Sequence, residues 1–311
     1  MTSEAGAEAE AGEAGTRCGF AAIIGAPNAG KSTLLNQLVG SKVAIVTQKV
    51  QTTRTRLRGI VIEGTSQIIF VDTPGIFSPR RRLDEAMVEA AWAGAAEADA
   101  VILLIDSRFG LDDQAELVIA GLEKARVNPI LVLNKIDLIR REALLELVKQ
   151  FNERWPFTDT FLVSALSGDG VTDLKAHVAT RMPPGPWLYP EDQIADVPLR
   201  LLAAEITREK IYLRLHEELP YASTVETESW QERKDGSVRI DQVIYVERES
   251  QRKIVLGKSG QTIKAIGQAA RTEIAELLGQ PVHLFLFVKV RSAWSSDPER
   301  LRHIGLEPPR R

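Results

Sequence analysis

The sequence predicts an α/β domain, with a mostly parallel sheet covered by helices on both faces, followed by a smaller α+β domain. Three observations carry this. Short apolar runs alternate with helix-period stretches through the first half, the pattern of parallel strands joined by crossover helices. A proline-rich stretch, "MPPGPWLYPEDQIADVP", then breaks the pattern near residue 185. Beyond it the order becomes helix, two alternating strands, two helices and a strand. A length of 311 residues fits two domains.

Taken in order, strands are expected at Phe20–Gly25, Ile60–Asp72, Val101–Asp106, Ile130–Lys135 and Phe161–Ala165. Each is a short, nearly continuous apolar run, as strands buried on both faces must be. Amphipathic periodicity predicts helices at Lys31–Gly40, Leu83–Ala98, Gln114–Ala125, Arg141–Arg154 and Val171–Ala179. In the second half a helix is expected at Leu199–His216, strands at Ala222–Trp230 and Val238–Glu247, a helix at Gln261–Leu278 and a strand at Val282–Val290. "RKDGS" between the first two of these strands is a hairpin signal. The resulting division is an acidic tail over 1–17, a first domain over 18–184, a proline-rich linker over 185–198 and a second domain over 199–311.

Composition limits the function. A formal net charge of −3 and 44% hydrophobic residues supply two cores, and near-balance overall still permits a local basic patch that meets nucleic acid. No apolar run reaches the roughly 18 to 20 residues that cross a bilayer. The tail is mostly Ala, Glu and Gly, unlike a secretory signal, and is expected to be disordered. One cysteine, Cys18, cannot pair within the chain, so a reducing, cytoplasmic setting is expected.

"GAPNAGKST", Gly25-Ala26-Pro27-Asn28-Ala29-Gly30-Lys31-Ser32-Thr33, fits G-x-x-x-x-G-K-[ST] between a predicted strand and a predicted helix. Phosphate oxygens must approach backbone N–H groups there, and small residues leave them room. The helix N-terminus adds partial positive charge. Lys31 is placed to neutralise β- and γ-phosphates, and the Ser32 hydroxyl to bind Mg²⁺. "DTPG", Asp72-Thr73-Pro74-Gly75, follows a strand. Asp72 can hold Mg²⁺ through water and the Gly75 N–H can meet a γ-phosphate. "NKID" follows the next candidate strand. Asn134 and Asp137 can read a guanine edge, since Asp137 accepts from N–H groups that adenine lacks, and Lys135 packs along the base or braces the phosphate loop. "SAL", Ser164-Ala165-Leu166, offers a backbone N–H to the guanine oxygen. All stand at the carboxyl ends of strands, where ligands bind in such sheets. These motifs resemble those of GTPases related to translation factors. "QTTR" then falls where such proteins carry a metal-binding threonine, Thr53 first and Thr52 as the fallback.

In the second domain, Gly257-Lys258-Ser259-Gly260 is a G-x-x-G turn between helical segments. Such a turn grips the nucleic-acid backbone in KH modules, and the element order here is that of a type II KH fold. Arg252, Lys253 and Lys264 flank it as a basic cluster with no acid between them. Ile254, Val255, Ile263 and Ile266 recur at helical spacing, most as core and one or two as a groove lining. Tyr221 is expected to close the core. Trp230 and Trp294 are each either a stacking platform for bases or a packing residue, and Arg291, Arg300 and Arg302 either extend an RNA surface or belong to a C-terminal helix.

The whole chain from about Gly19 to Arg302 resembles the Era family of ribosome-associated GTPases. The resemblance is carried by "GAPNAGKST", "QTTRTR", "DTPGI", "NKID", "HEELPYASTVE" and "VLGKSGQTIKAIG". It implies a P-loop GTPase domain followed by a KH domain. The implied activity is hydrolysis of GTP to GDP with Mg²⁺, with Lys31, Thr53 and Gly75 catalytic. The implied partner is the 3′ end of 16S rRNA, with a role in 30S maturation. A monomer and, in some settings, peripheral contact with the inner membrane are also implied. Ile76 stands where Ras-like proteins carry a water-positioning Gln, so slow intrinsic hydrolysis is expected. Asn28 resembles a residue that helps hold potassium in related GTPases, or else packs the loop. Arg54, Arg56 and Arg58 belong either to a basic strand face or to an RNA contact. Two rival readings stay open: a nucleotide-stabilised RNA chaperone in which turnover matters little, and a GTPase whose second domain binds protein.

Overall fold

The computed structural model describes residues 15–47, 49, 52–54, 56–196, 198–215, 219–292, 294, 297–298, 302 and 306–307. Residues 1–14 of the expected tail, Gln51 and Arg300 lie outside them. The chain divides into two compact units. The first comprises residues up to Ala44, Thr53–Arg80 and Met87–Asp196; the second comprises Ile45–Thr52, Arg81–Ala86 and Val197–Arg311.

Among the described residues the first unit is built on six strands: β1 (Arg17–Ile24), β2 (Leu57–Glu63), β3 (Ser66–Asp72), β4 (Ala100–Asp106), β5 (Ile130–Asn134) and β6 (Thr160–Val163). Their order is β2-β3-β1-β4-β5-β6, with every pairing parallel except β2–β3. Helices α1 (Lys31–Val39), α2 (Arg82–Glu97), α3 (Asp113–Ala125), α4 (Arg141–Arg154) and α5 (Val171–Arg181) connect them. Every residue of β3, β4 and β5 is buried, which is why those runs carry no polar alternation. Leu103, Ile105, Leu131 and Leu133 pack with Val118, Ile119, Leu122 and Phe151 in one cluster.

Ile60–Asp72, expected as one strand, is an antiparallel hairpin that reverses at Gly64, whose φ is 59°. Ile60–Ile62 and Ile68–Val71 are apolar and largely buried in the same sheet, so periodicity shows a single run broken only by "EGTS". The proline-rich stretch runs beside this hairpin. Ile60 N–H donates to Ile194 O at 2.9 Å. Gln67 accepts from the Leu188 and Tyr189 N–H groups and donates back to Tyr189 O. Earlier in the same stretch, Cys18 N–H donates to Pro183 O and Gly185 N–H to Thr16 O, so the first and last strand-flanking segments of this unit pair with each other.

The second unit has α6 (Leu199–Arg214), β7 (Ser223–Glu232), β8 (Val238–Val246), α7 (Glu249–Leu256), α8 (Gln261–Leu278) and β9 (Val282–Val290). The sheet order is β7-β8-β9, antiparallel then parallel. The "RKDGS" turn closes the hairpin, with Arg233 N–H donating to Ser237 O. One sheet face is covered by helices: Ile240, Ile244 and Val246 meet Ile206, Ile211, Ile266 and Ile274 across two clusters. Tyr221 lies edge-on to Tyr212, with ring centroids 5.8 Å apart. Trp294 is 0% exposed and donates its Nε1–H to Ala222 O at 3.0 Å, so it is a packing residue and offers no face to a base. Trp230 also packs against a core cluster.

Candidate functional site

Parallel pairing gathers the candidate residues of the first unit. In register, Ile23 lies opposite Asp72, Asp106 opposite Asn134 and Asn134 opposite Val163. The carboxyl ends of β1, β3, β4, β5 and β6 therefore deliver Gly25, Asp72, Asp106, Asn134 and Ser164 to one edge of the sheet. Residues 25–30 turn above that edge and α1 begins at Lys31.

Gly30 has φ 102°, and a Cβ there would stand 2.3 Å from Asn134 Nδ2. Only glycine meets both conditions. Lys31 is buried, and its Nζ donates to Gly25 O at 3.1 Å and Ala26 O at 2.9 Å. Burial lowers its pKa from 10.5 to about 8, partly opposed by the charge of Asp72. The side chain is thus folded against the loop whose N–H groups would surround a phosphate.

The three metal candidates converge. Ser32 Oγ donates to Asp72 Oδ2 at 2.7 Å and Thr53 Oγ1 does so at 2.9 Å; the two hydroxyls are 2.9 Å apart. Burial pushes the Asp72 carboxyl up, opposed by Lys31 and by these two hydrogen bonds. Asp72 Oδ1 is buried and has no hydrogen-bond partner among the described residues. Two hydroxyls and a carboxylate with a spare oxygen are hard ligands, and they fit Mg²⁺. Thr52 is directed elsewhere, donating to Lys49 O.

"DTPG" is tied to the phosphate loop. Ile76 N–H donates to Gly25 O at 3.0 Å, and Thr73 Oγ1 to Ile23 O at 2.8 Å. The Ile76 side chain is 2% exposed and belongs to the core. It has neither the polarity nor the direction to orient water.

The residues expected to read a base divide their work. Asn134 is buried; its Nδ2 donates to Ala29 O at 2.8 Å and its Oδ1 accepts from Ala165 N–H at 2.9 Å. It braces the phosphate loop against "SAL". Of the backbone N–H groups of "SAL", that of Ala165 is engaged by this asparagine. Asp137 is exposed just after β5, and Leu166 is 82% exposed. Lys135, at φ 66°, donates to Asn28 O and to Asp106 Oδ2, each at 2.7 Å. Lys135 therefore does brace the loop.

Asp106 is the residue that sequence reasoning missed. Partial burial works to raise its pKa, but hydrogen bonds from Arg108 and Lys135 hold it below the usual carboxylate range. Its signal was an acid ending the apolar run Val101–Asp106, in the same position as Asp72 and Asn134. Arg56 is engaged by Ala90 O and Glu97, Arg58 by Asp196, and Arg54 is buried.

In the second unit, α7 ends at Leu256, residues Lys258–Gly260 form one 3₁₀ turn, and α8 follows. Gly257 has φ 72°, and a Cβ there would lie 2.1 Å from Thr262 Oγ1. Lys253, Lys258, Ser259 and Lys264 are exposed. Arg252 forms an ion pair with Glu249 at 2.8 Å. No acid lies between the members of the cluster in sequence, but one helical turn brings Glu249, which precedes it, beside Arg252. A cavity of about 370 Å³ follows the turn, lined by Ile263, Lys264, Gly267, Gln268, Arg271 and Leu284–Leu286. Of the recurring apolar residues, Val255 and Ile266 are core, Ile263 lines this groove and Ile254 is exposed.

Comparison with known proteins agrees with both units. A family model described as a 50S ribosome-binding GTPase matches residues 20–135, and one described as a KH domain matches residues 218–295. The chain is 66% identical to the GTPase Era of Afipia carboxidovorans, covering 95% of this chain and 96% of that one. It is 63% identical to the GTPase Era of Bradyrhizobium diazoefficiens over 100% of both chains. Among solved structures, Era in complex with MgGDPNP and nucleotides 1506–1542 of 16S ribosomal RNA matches with a TM-score of 0.89 and 40% identity, covering 93% of this chain and 99% of that one. A single-substitution variant of Aquifex aeolicus Era bound to GDP·AlF₄⁻ matches with a TM-score of 0.88 and 39% identity, at the same coverage. The chain belongs to the Era family of GTPases, enzymes that hydrolyse GTP to GDP and phosphate.

Proposed function

We propose that the chain is a GTP-dependent assembly factor that binds the 3′ end of 16S rRNA through its KH unit and couples this to maturation of the 30S subunit. The observation that carries this is the exposed Gly257–Gly260 turn opening α8 beside an apolar groove, on a chain whose other unit holds a phosphate loop. The complex of a relative with a 16S fragment supports it. Gly25–Thr33 would cradle the phosphates, with Lys31 as the counter-charge. Ser32, Thr53 and Asp72 would hold Mg²⁺, which supplies charge neutralisation at the phosphates. Asp137 would read guanine. Loops around Thr53 and Gly75 would order with GTP and release after hydrolysis.

Hydrolysis is slow in this reading, because Ile76 is buried and carries no polar group. The attacking water is then oriented by backbone groups, by a potassium ion held near Asn28, or by a bound partner. The same burial supports the second reading, a nucleotide-stabilised RNA chaperone. A variant that binds GTP without cleaving it separates the two, since full cellular function of that variant favours the chaperone. The protein is proposed to act as a cytoplasmic monomer with peripheral contact at the inner membrane.

The test is Lys258→Asp combined with Ser259→Asp. Both side chains are exposed, and Asp tolerates the φ of 52° at Ser259. Fluorescence anisotropy with a fragment spanning nucleotides 1506–1542 should show at least a tenfold loss, with GDP affinity unchanged. Unaltered RNA binding would remove the KH unit from the reading and favour a protein partner for it.

A further inference from the structure

Among the described residues β9 is an edge strand, paired only with β8. Its alternation is unusual in what it leaves outside. Leu284, Leu286 and Val288 pack on the helix-covered face. Phe285 and Phe287 point the other way and are 42% and 50% exposed. Nothing in the core requires aromatic side chains there, and a β-propensity argument is met as well by threonine or valine.

Three features describe this face. The Arg239 guanidinium lies 4.6 Å from the Phe285 ring centroid and is held by Asp241 at 3.1 Å. Lys289 meets Glu228 at 2.9 Å. Two acids of this face, Asp241 and Glu228, are therefore engaged by cations. Phe285 also lines the groove beside the Gly257–Gly260 turn. The outer face is thus continuous with that groove around the strand edge. Successive outward residues on a strand stand about 6.6 Å apart, which suits one extended nucleotide step for each ring.

We infer that Phe285 and Phe287 form a base-stacking platform, on which an unpaired RNA strand continues after leaving the KH groove. The inference rests on the RNA-binding reading above. At the turn Lys258, and in the groove Lys264 and Arg271, meet phosphates. On the sheet face, two rings stack bases without reading their edges, as aromatic sheet surfaces do for single strands. The platform adds affinity that tolerates sequence.

Phe287 is the discriminating residue, because it does not line the groove. The full chain with GTP analogue and Mg²⁺ is titrated with a five-nucleotide RNA from the ribosomal 3′ end, and with the same RNA extended by five uridines on either its 5′ or its 3′ side. One extended RNA should bind about tenfold tighter than the five-mer. Phe287→Ala and Phe287→Leu should lose that gain, Phe287→Trp should keep it, and none should change binding of the five-mer. The slope of affinity against salt concentration should stay the same in Phe287→Ala, because no phosphate contact is removed. Equal binding of all RNAs by the parent chain, or an undiminished gain in Phe287→Ala, overturns the platform while leaving groove binding intact. Failure to bind even the five-mer overturns the RNA reading itself. Loss of binding to anionic phospholipid vesicles in Phe287→Ala, with RNA binding unchanged, would assign the face to a lipid surface instead.

Discussion

Asn134→Ala tests whether this residue braces two loops. The side chain donates to Ala29 O at 2.8 Å and accepts from Ala165 N–H at 2.9 Å, and both partner residues are buried. A buried donor or acceptor left unpaired costs about 1–3 kcal/mol, so the pair amounts to ~2–6 kcal/mol. At ~4 kcal/mol, the melting temperature of a unit this size falls by roughly 8–16 °C. Asp137 provides the contrast, since it is exposed. Asp137→Ala should stay within ~0.5 kcal/mol of the parent in stability while losing guanine affinity by about 100-fold, because it loses two charge-assisted hydrogen bonds. Differential scanning calorimetry of the nucleotide-free proteins gives the first quantity, and titration with GDP and Mg²⁺ the second. If Asn134→Ala melts within about 1 °C of the parent, less than one such bond predicts, the bracing role is wrong and the residue acts only on the base.

Asp72→Asn removes the carboxylate that both hydroxyls address, so GDP affinity in Mg²⁺ should fall to the value measured in EDTA, by calorimetric titration. Burial of Lys31, with its pKa lowered from 10.5 to about 8, penalises the nucleotide-free fold fully below pH 8. Above that the unfolded state binds more protons, so stability should rise toward pH 10.5 by up to about 3 kcal/mol. Urea titrations across that window should show the rise, and Lys31→Met should flatten it. Trp294→Ala empties a fully buried site and leaves Ala222 O without this donor. It should lower the stability of the second unit by about 3–5 kcal/mol without altering RNA affinity per folded molecule, measured by denaturation alongside anisotropy.

The sheet of the first unit was legible because parallel strands buried on both faces must be apolar runs, and because Gly30, Lys31 and Ser32 stand at fixed spacing. The β2–β3 hairpin was not. The facing parts of its two arms, Ile60–Ile62 and Ile68–Val71, are both apolar, and the short turn between them carries only one glycine. The role of Asn134 was half legible. Its motif pointed to the base, but both of its polar atoms are committed to backbone groups distant in sequence, and no local pattern encodes such partners. Asp106 shared the strand-end position of its neighbours but lacked a motif around it. Trp294 stayed open between a ligand platform and a packing role, because its burial is set by the packing of distant segments, and the structure assigns it to packing.

Thr16 and Gly185 exchange hydrogen bonds, and Arg17 bridges Pro184. The start of the unit is thus stitched to the segment that follows its last helix. Joining Asp196 back to Gly15 through a flexible linker and opening the chain at the exposed Gly64 turn should yield a permuted nucleotide-binding unit that folds and holds GDP. In evolution, the same stitching leaves room for a different appended module at either end without disturbing the phosphate loop.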